Sequence, residues 1–311
     1  MSDDARGGAR SGPTRPDVRV TIGQLRVSAD RGAAREVALD ALATAARAGA
    51  DLLVLPEYAS AFEPRGVGPE HAEPLTGPFV SALRERAART GVAVLAGTTL
   101  PGSDVAGGDP GAGPSSPADR GPGPGGSSAA DAGTRARAVN AVVAIDARGE
   151  LVGTYRKVHL YDAFGARESD RLEPGPPDAP PLVLDVGGLR FGVLTCYDLR
   201  FPESARRVVD AGADVLVVPA AWASGELKAM HWRALAVARA IENTAVVLGV
   251  GQAGPGVVGR SLVVGPDGVV GLELDERPDV RTVDVDGAGL AAVRARNPSL
   301  ANRRYAVVPR G

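Results

Sequence analysis

The chain has 311 residues, 44% of them hydrophobic, with 35 Lys and Arg against 37 Asp and Glu for a formal net charge of -2. That length supports a large core, and the near balance of charge excludes a nucleic acid or other polyanion held by bulk electrostatics. The single cysteine excludes an intramolecular disulfide framework, and with no apolar signal core in the first sixteen or so residues the protein is expected to be cytoplasmic.

Residues 1–17 are rich in Gly, Arg, Ser and Pro, too polar to offset their ordering entropy, and are expected to form a disordered tail. One folded domain is expected over residues 18–305, with 306–311 as a C-terminal tail. Val18 to Leu25 alternates as a strand, and Ala33 to Ala48 spaces Val37, Leu39 and Leu42 as a helix that Gly49 stops. Asp51 to Leu55 is a buried strand ending in Pro56 and Glu57. Thr76 to Thr90 reads as a second helix and Val92 to Leu100 as a third strand, the order of an α/β sheet. Residues 101–137 then turn to Gly, Pro, Ser, Ala and Asp. This low-complexity insertion is expected to be a disordered surface loop between two strands and not a domain boundary.

Beyond it, Asn140 to Asp146 pairs with Leu151 to Arg156 across Ala147-Arg148-Gly149, and Pro181 to Val186 with Arg190 to Thr195 across Gly187-Gly188. Helix Pro202 to Ala211, strand Asp214 to Val218, helix Ala229 to Glu242 and strand Thr244 to Gly251 follow. Gly259 to Val264, Val269 to Leu274 and Asp279 to Val285 alternate as antiparallel strands before a short helix from Ala288 to Arg296. The longest apolar run, Val215 to Ala223, contains Pro219 and is well short of the ~20 residues of a membrane span. No membrane partner is expected.

An internal repeat organises these elements. Ala48-Gly49-Ala50-Asp51-Leu52-Leu53-Val54-Leu55-Pro56 matches Ala211-Gly212-Ala213-Asp214-Val215-Leu216-Val217-Val218-Pro219, each copy following a helix and closing a buried strand. Two related halves follow from it, with Glu57 and Ala220 at equivalent strand ends.

Cys196 follows the apolar run Phe191, Val193, Leu194 and precedes Pro202, a residue suited to a helix's first position. It therefore lies at a strand-to-helix turn, on the rim where open α/β sheets bind ligands. Alone it reads equally as a buried structural thiol. To attack, a thiol needs a base within hydrogen-bond reach or a strongly positive site. The three histidines, His71, His159 and His231, stand in contexts that favour structural roles. Glu57 can serve instead if a partly buried pocket raises its pKa and an ammonium holds the geometry, and Lys157, at the exit of a strand, supplies that ammonium. A literal Gly-x-Gly-x-x-Gly at residues 249–254 is followed by Pro255 and a strand rather than a helix, which argues against dinucleotide binding.

Leu55-Pro56-Glu57, the stretch Tyr155 to Asp162 around Lys157, and Cys196-Tyr197-Asp198-Leu199-Arg200-Phe201-Pro202-Glu203 resemble the three signatures of the nitrilase superfamily of carbon–nitrogen hydrolases. Order and approximate separation agree, and Glu168, His231-Trp232 and Arg260-Ser261 extend the likeness from Val18 to Tyr305 outside the insertion. The resemblance implies an α/β fold, a four-layer α-β-β-α sandwich, assembling as a homodimer or higher homo-oligomer. It implies Glu57 as general base, Lys157 as oxyanion stabiliser, Cys196 as nucleophile and Glu168 as the group that orients lysine or substrate, with no metal or organic cofactor. The expected reaction is hydrolysis of a small amide through a thioester to acid and ammonia.

Tyr197-Asp198 after the cysteine is similar to the branch of omega-amidases and deaminated-glutathione amidases, favouring amides over nitriles. Ser224 to Trp232 departs from that branch's Thr-Gly-Pro-Ala-His-Trp and leaves the substrate open. Tyr197, through its backbone N–H, and Trp222 and Arg200 are candidate substrate contacts. Arg200 either holds a substrate carboxylate or joins Asp198 and Glu203 in a structural charge network. The alternatives are a nitrilase, an N-carbamoyl amidohydrolase, an acyltransferase using the same triad, or a binding protein without activity.

Overall fold

The computed structural model describes residues 17–103 and 136–310. The tail expected at 1–17 and the insertion expected at 101–137 therefore lie, for residues 1–16 and 104–135, outside the described residues.

Strands β1 (Val18–Gln24), β2 (Leu52–Val54) and β3 (Ala93–Pro101) run parallel, linked by helices α1 (Arg31–Arg47) and α2 (Pro78–Thr90). Strands β4 (Ala138–Ile145) and β5 (Leu151–Arg156) extend the sheet antiparallel. The second half repeats the plan. Its parallel strands are β7 (Leu189–Val193), β8 (Val215–Ala220) and β9 (Val246–Gly251), linked by α3 (Pro202–Asp210) and α4 (Lys228–Asn243). Strand β6 (Val183–Val186) flanks β7, and β10 (Leu262–Val264) and β11 (Val270–Glu273) extend the other side. Strand β12 (Asp279–Val285) crosses to the first sheet, and α5 (Gly287–Arg296) ends the fold. The sheet orders are β12-β1-β2-β3-β4-β5 and β11-β10-β9-β8-β7-β6.

The repeat read from the sequence is thus a repeat of architecture. Its two aspartates do the same job, Asp51 accepting from the N–H of Arg19 at 2.8 Å and Asp214 from that of Arg190 at 3.2 Å. Each ties the start of a central strand to its neighbour.

The layers follow from which face each side chain takes. Val20, Ile22, Val54 and Leu95 meet Phe191, Val193, Val217 and Leu248 between the sheets. Leu42, Phe79 and Leu83 cover the outer face of the first sheet over Leu53 and Val94, and Val208, Trp232 and Ala236 cover the second over Leu216 and Val218. Central strands covered on both faces read as continuous apolar runs instead of alternating ones, which is why β2 and β8 stand out in the sequence. The alternation expected in β1 is absent for the same reason: all but Arg19 are buried, and Gln24 satisfies its amide on the carbonyls of Asp275 and Arg277. The result is the expected α-β-β-α sandwich.

Boundaries shift where local chemistry demands. Helix α2 starts at Pro78, not Thr76, with proline in the first turn. Strand β9 starts at Val246 because Thr244 closes α4 in the left-handed region, φ 41°. No helix among the described residues is long and apolar enough to cross a membrane.

Candidate active site

Glu57 follows β2, Lys157 follows β5 and Cys196 follows β7, so three strand ends deliver them to one cavity of about 390 Å³. Glu57 and Lys157 are almost fully buried, each side chain 1% exposed. The Lys157 Nζ donates to Glu57 Oε1 at 2.9 Å and to Glu168 Oε2 at 2.9 Å. Its backbone is fixed as well, the N–H donating to Asn140 O at 2.9 Å and the carbonyl accepting from Gly175 N at 2.7 Å.

The Glu57 carboxylate is ringed by donors. Besides Lys157, Oε1 accepts from Asn140 Nδ2 at 2.7 Å and Oε2 from the N–H of Ala221 at 2.6 Å. Ala221 directly follows Ala220, the repeat counterpart of Glu57, so the two strand ends meet at the cavity. Gln252 Nε2 holds the Glu57 carbonyl at 2.6 Å. Gly97 lets this backbone approach, because a Cβ there would lie 2.5 Å from the Cα of Glu57.

Cys196 opens a short 3-10 turn, Cys196–Arg200, at φ 46°. A left-handed backbone costs an L-residue roughly 1–2 kcal/mol, and it aims the thiol into the cavity. Burial first, and then the Glu57 charge, push the Cys196 thiol well above its usual pKa, with Lys157 only partly offsetting them. The resting group is therefore a neutral thiol in the same cavity as Glu57. Burial opposes the charge of Lys157, but Glu168 and Glu57 outweigh it and keep the ammonium protonated well above the ordinary lysine range. Glu168 lies in the turn Glu168–Asp170 and accepts from Tyr161 N at 2.6 Å and from the Tyr58 hydroxyl.

The structure brings the other expected residues to the same cavity and corrects one grouping. Tyr197, Arg200 and Trp222 all line it, and the Arg200 guanidinium lies 5.0 Å from the Trp222 ring centre. The charge network of Asp198, Arg200 and Glu203 does not form. Asp198 is fully buried and bonded to Tyr155, His159 and Thr195, whereas Arg200 turns outward into the cavity, within 3.4 Å of His231 Nδ1. The short turn puts the two side chains on opposite sides. Among the described residues Arg200 has no carboxylate partner. Nor has Lys228, whose Nζ donates to the Tyr161 hydroxyl at 2.7 Å and lies 3.4 Å from the Phe164 ring centre. Burial, then Arg200, push the Lys228 pKa down.

A family model described as carbon-nitrogen hydrolase matches residues 19–295. The chain belongs to the carbon-nitrogen hydrolase family. This carbon-nitrogen hydrolase is 43% identical over 173 residues to a deaminated glutathione amidase of Escherichia coli O157:H7, a match covering 56% of this chain and 65%, just under two thirds, of the relative. Among solved structures it resembles XC1258 from Xanthomonas campestris, described as a CN-hydrolase superfamily protein with an arsenic adduct in the active site. The TM-score is 0.75 at 27% identity, over 94% of this chain and 100% of the other. It also resembles a mutant of the amidase from Nesterenkonia sp. AN1, described as showing the result of Michael addition of acrylamide at the active site cysteine. There the TM-score is 0.66 at 28% identity, over 90% of this chain and 97% of the other. The protein is accordingly a hydrolase of carbon–nitrogen bonds other than peptide bonds, in the nitrilase superfamily.

Several residues of this carbon-nitrogen hydrolase site carry little signal in the sequence. Asn140 is a lone amide inside the apolar run of β4, where it passes for a satisfied core polar group. Tyr58 and Tyr161 have no distinctive spacing. Lys228 lies in the stretch that departs from the related branch, and that departure was its signal. Among the described residues no group of three or more His, Cys, Asp or Glu side chains is placed to hold a metal ion.

Proposed function

We propose that the protein is a cysteine-dependent amidase that hydrolyses a small amide bearing a carboxylate to the corresponding acid and ammonia. The observation that carries the reading is a lysine ammonium held 2.9 Å from each of two glutamates in the cavity that a buried thiol also lines.

In this reading Cys196 Sγ attacks the amide carbon as its proton passes to Glu57. Charge developing on the carbonyl oxygen is met by the Lys157 ammonium and the backbone N–H of Tyr197. Glu57 returns the proton to the nitrogen, the C–N bond breaks, and ammonia leaves a thioester on Cys196. A water that yields its proton to Glu57 then attacks the thioester, and the thiolate leaves and is reprotonated, releasing the acid. Glu168 keeps Lys157 charged and aimed throughout. Such a base must lift the proton from a thiol that burial keeps neutral, and the direction of the Cys196 shift supports that division of labour.

The carboxylate on the substrate is inferred from Arg200 and Lys228, two cations that line the cavity without an acidic partner among the described residues. The relative named deaminated glutathione amidase supports an amide substrate.

The test is to incubate the protein with glutaramate, butyramide, butyronitrile and N-carbamoyl-β-alanine while measuring ammonia and intact mass. Glutaramate should be turned over fastest, with the acyl mass appearing on Cys196. Cys196→Ala and Glu57→Gln should each lower turnover by a factor of about 1,000 or more, in line with loss of a nucleophile or its base. Ammonia release by Cys196→Ala at the normal rate refutes the mechanism.

A further inference from the structure

We propose that Asp198 is a positioning residue that sets the distance between the Lys157 ammonium and the Cys196 thiol. The inference rests on the reading of Lys157 and Cys196 above. Asp198 is completely buried. Its Oδ2 accepts from the Tyr155 hydroxyl at 2.6 Å and from Thr195 N at 3.0 Å. Its Oδ1 accepts from His159 N at 3.1 Å and faces His159 Nδ1 at 2.7 Å. Opposite a carboxylate, that Nδ1 carries a proton and donates.

The sequence positions of these partners give the arrangement its meaning. Tyr155 and His159 stand two residues before and two residues after Lys157, while Thr195 immediately precedes Cys196. One carboxylate therefore clasps both flanks of the lysine segment and the entry to the nucleophile turn. The Tyr155 hydroxyl also accepts from Val158 N at 3.3 Å, closing a loop around Lys157. A second tie holds the turn from behind, where Arg239 Nε donates to Leu199 O at 3.0 Å.

Only an acceptor with two oxygens and no proton fits four converging donors. The left-handed Cys196 backbone explains the need. A strained turn persists only where its surroundings over-determine it, and an error of about 1 Å between reacting groups can lower a rate about 100-fold. Glu57 and Glu168 hold the far end of Lys157. Asp198 ties the backbone around that lysine to the backbone entering the cysteine, and it does so without facing the cavity.

The experiment compares wild type, Asp198→Asn, Tyr155→Phe and the double variant in steady-state hydrolysis of glutaramate, with thermal unfolding followed by circular dichroism. Asp198→Asn turns one acceptor into a donor facing Thr195 N or Tyr155. It should lower kcat about 100-fold with KM changed less than about threefold. Tyr155→Phe removes one of the four donors and should lower kcat about tenfold, as expected for a hydrogen bond to a charged group. The double variant should be little worse than Asp198→Asn, because the two act through one network. A folded Asp198→Asn with wild-type kcat overturns the proposal, as does a rise in KM at unchanged kcat. Should Asp198→Asn fail to fold, an unchanged kcat in Tyr155→Phe overturns it equally. Cys196→Ala run alongside separates the two levels: ammonia release there at the wild-type rate refutes the nucleophile, whereas its expected loss together with wild-type kcat in Asp198→Asn refutes the clasp alone.

Discussion

Replacing Lys228 with methionine tests the assignment of an anionic substrate most directly. The side chain is 7% exposed and its ammonium bonds to one neutral partner, Tyr161. Methionine keeps an unbranched stem and removes the charge, its donors and the ammonium's contact with the Phe164 ring. A hydrogen bond to a charged group contributes about 1.5–3 kcal/mol. At about 1.4 kcal/mol per tenfold, the variant should lose a factor of about 10–150 in kcat/KM for glutaramate relative to butyramide, which lacks the carboxylate. Stability should hold or rise, because a buried cation beside Arg200 is relieved, and a urea melt measures it. The assay is ammonia release at several concentrations of each amide. An unchanged ratio of the two kcat/KM values refutes the carboxylate assignment, since Arg200 and Lys228 would then be cations without a substrate charge to meet.

Two further outcomes follow from the buried site. The Cys196 thiol, whose ordinary pKa is 9.0, is held neutral well above that value in the fold, so the unfolded chain loses this proton first. Its contribution to stability is full below about pH 9 and is lost as pH rises toward the folded pKa. Urea midpoints should fall between about pH 9 and 10.5, and less steeply in Cys196→Ala; parallel slopes contradict the shift. Gly97→Ala drives a Cβ to 2.4 Å from Pro56 O and 2.5 Å from Glu57 Cα. It should cost about 1–3 kcal/mol in a urea melt and lower kcat as well, because the displaced backbone carries Glu57. Wild-type turnover in that variant contradicts the close approach.

The parts of this protein that are legible in sequence are those set by short-range pattern. Buried central strands announce themselves as apolar runs, and the Ala-Gly-Ala-Asp repeat marks β2 and β8 as counterparts without reference to any contact. Glu57, Lys157 and Cys196 are legible because each sits where a strand ends. Asp198 is the opposite case. Its neighbours in sequence, Arg200 and Glu203, invite a local charge network, but its partners Tyr155 and His159 lie 43 and 39 residues away, and only the tertiary fold selects between them. The departure from the related branch flags the stretch of Lys228 but not its direction, which is set locally: Leu227 enters the left-handed region at φ 59° just before α4. The first residue of α4 is thereby folded against the aromatic wall of the cavity.

The crossing of β12 leaves the first sheet unfinished until the end of the fold is made. Strand β1 pairs on one side with β12 over its full length, from Val18 opposite Val285 to Gln24 opposite Asp279. A ribosome emits the chain from its N-terminal end, so the first sheet keeps an open edge until β12 has emerged. Its pairing joins segments about as far apart in sequence as the described fold allows, a topology that folds slowly and leaves unpaired edges open to aggregation. Glu57 comes from the half made first and Cys196 from the half made later. The reactive pair is thus completed late, and until the second half emerges a nascent chain carries the base without its thiol.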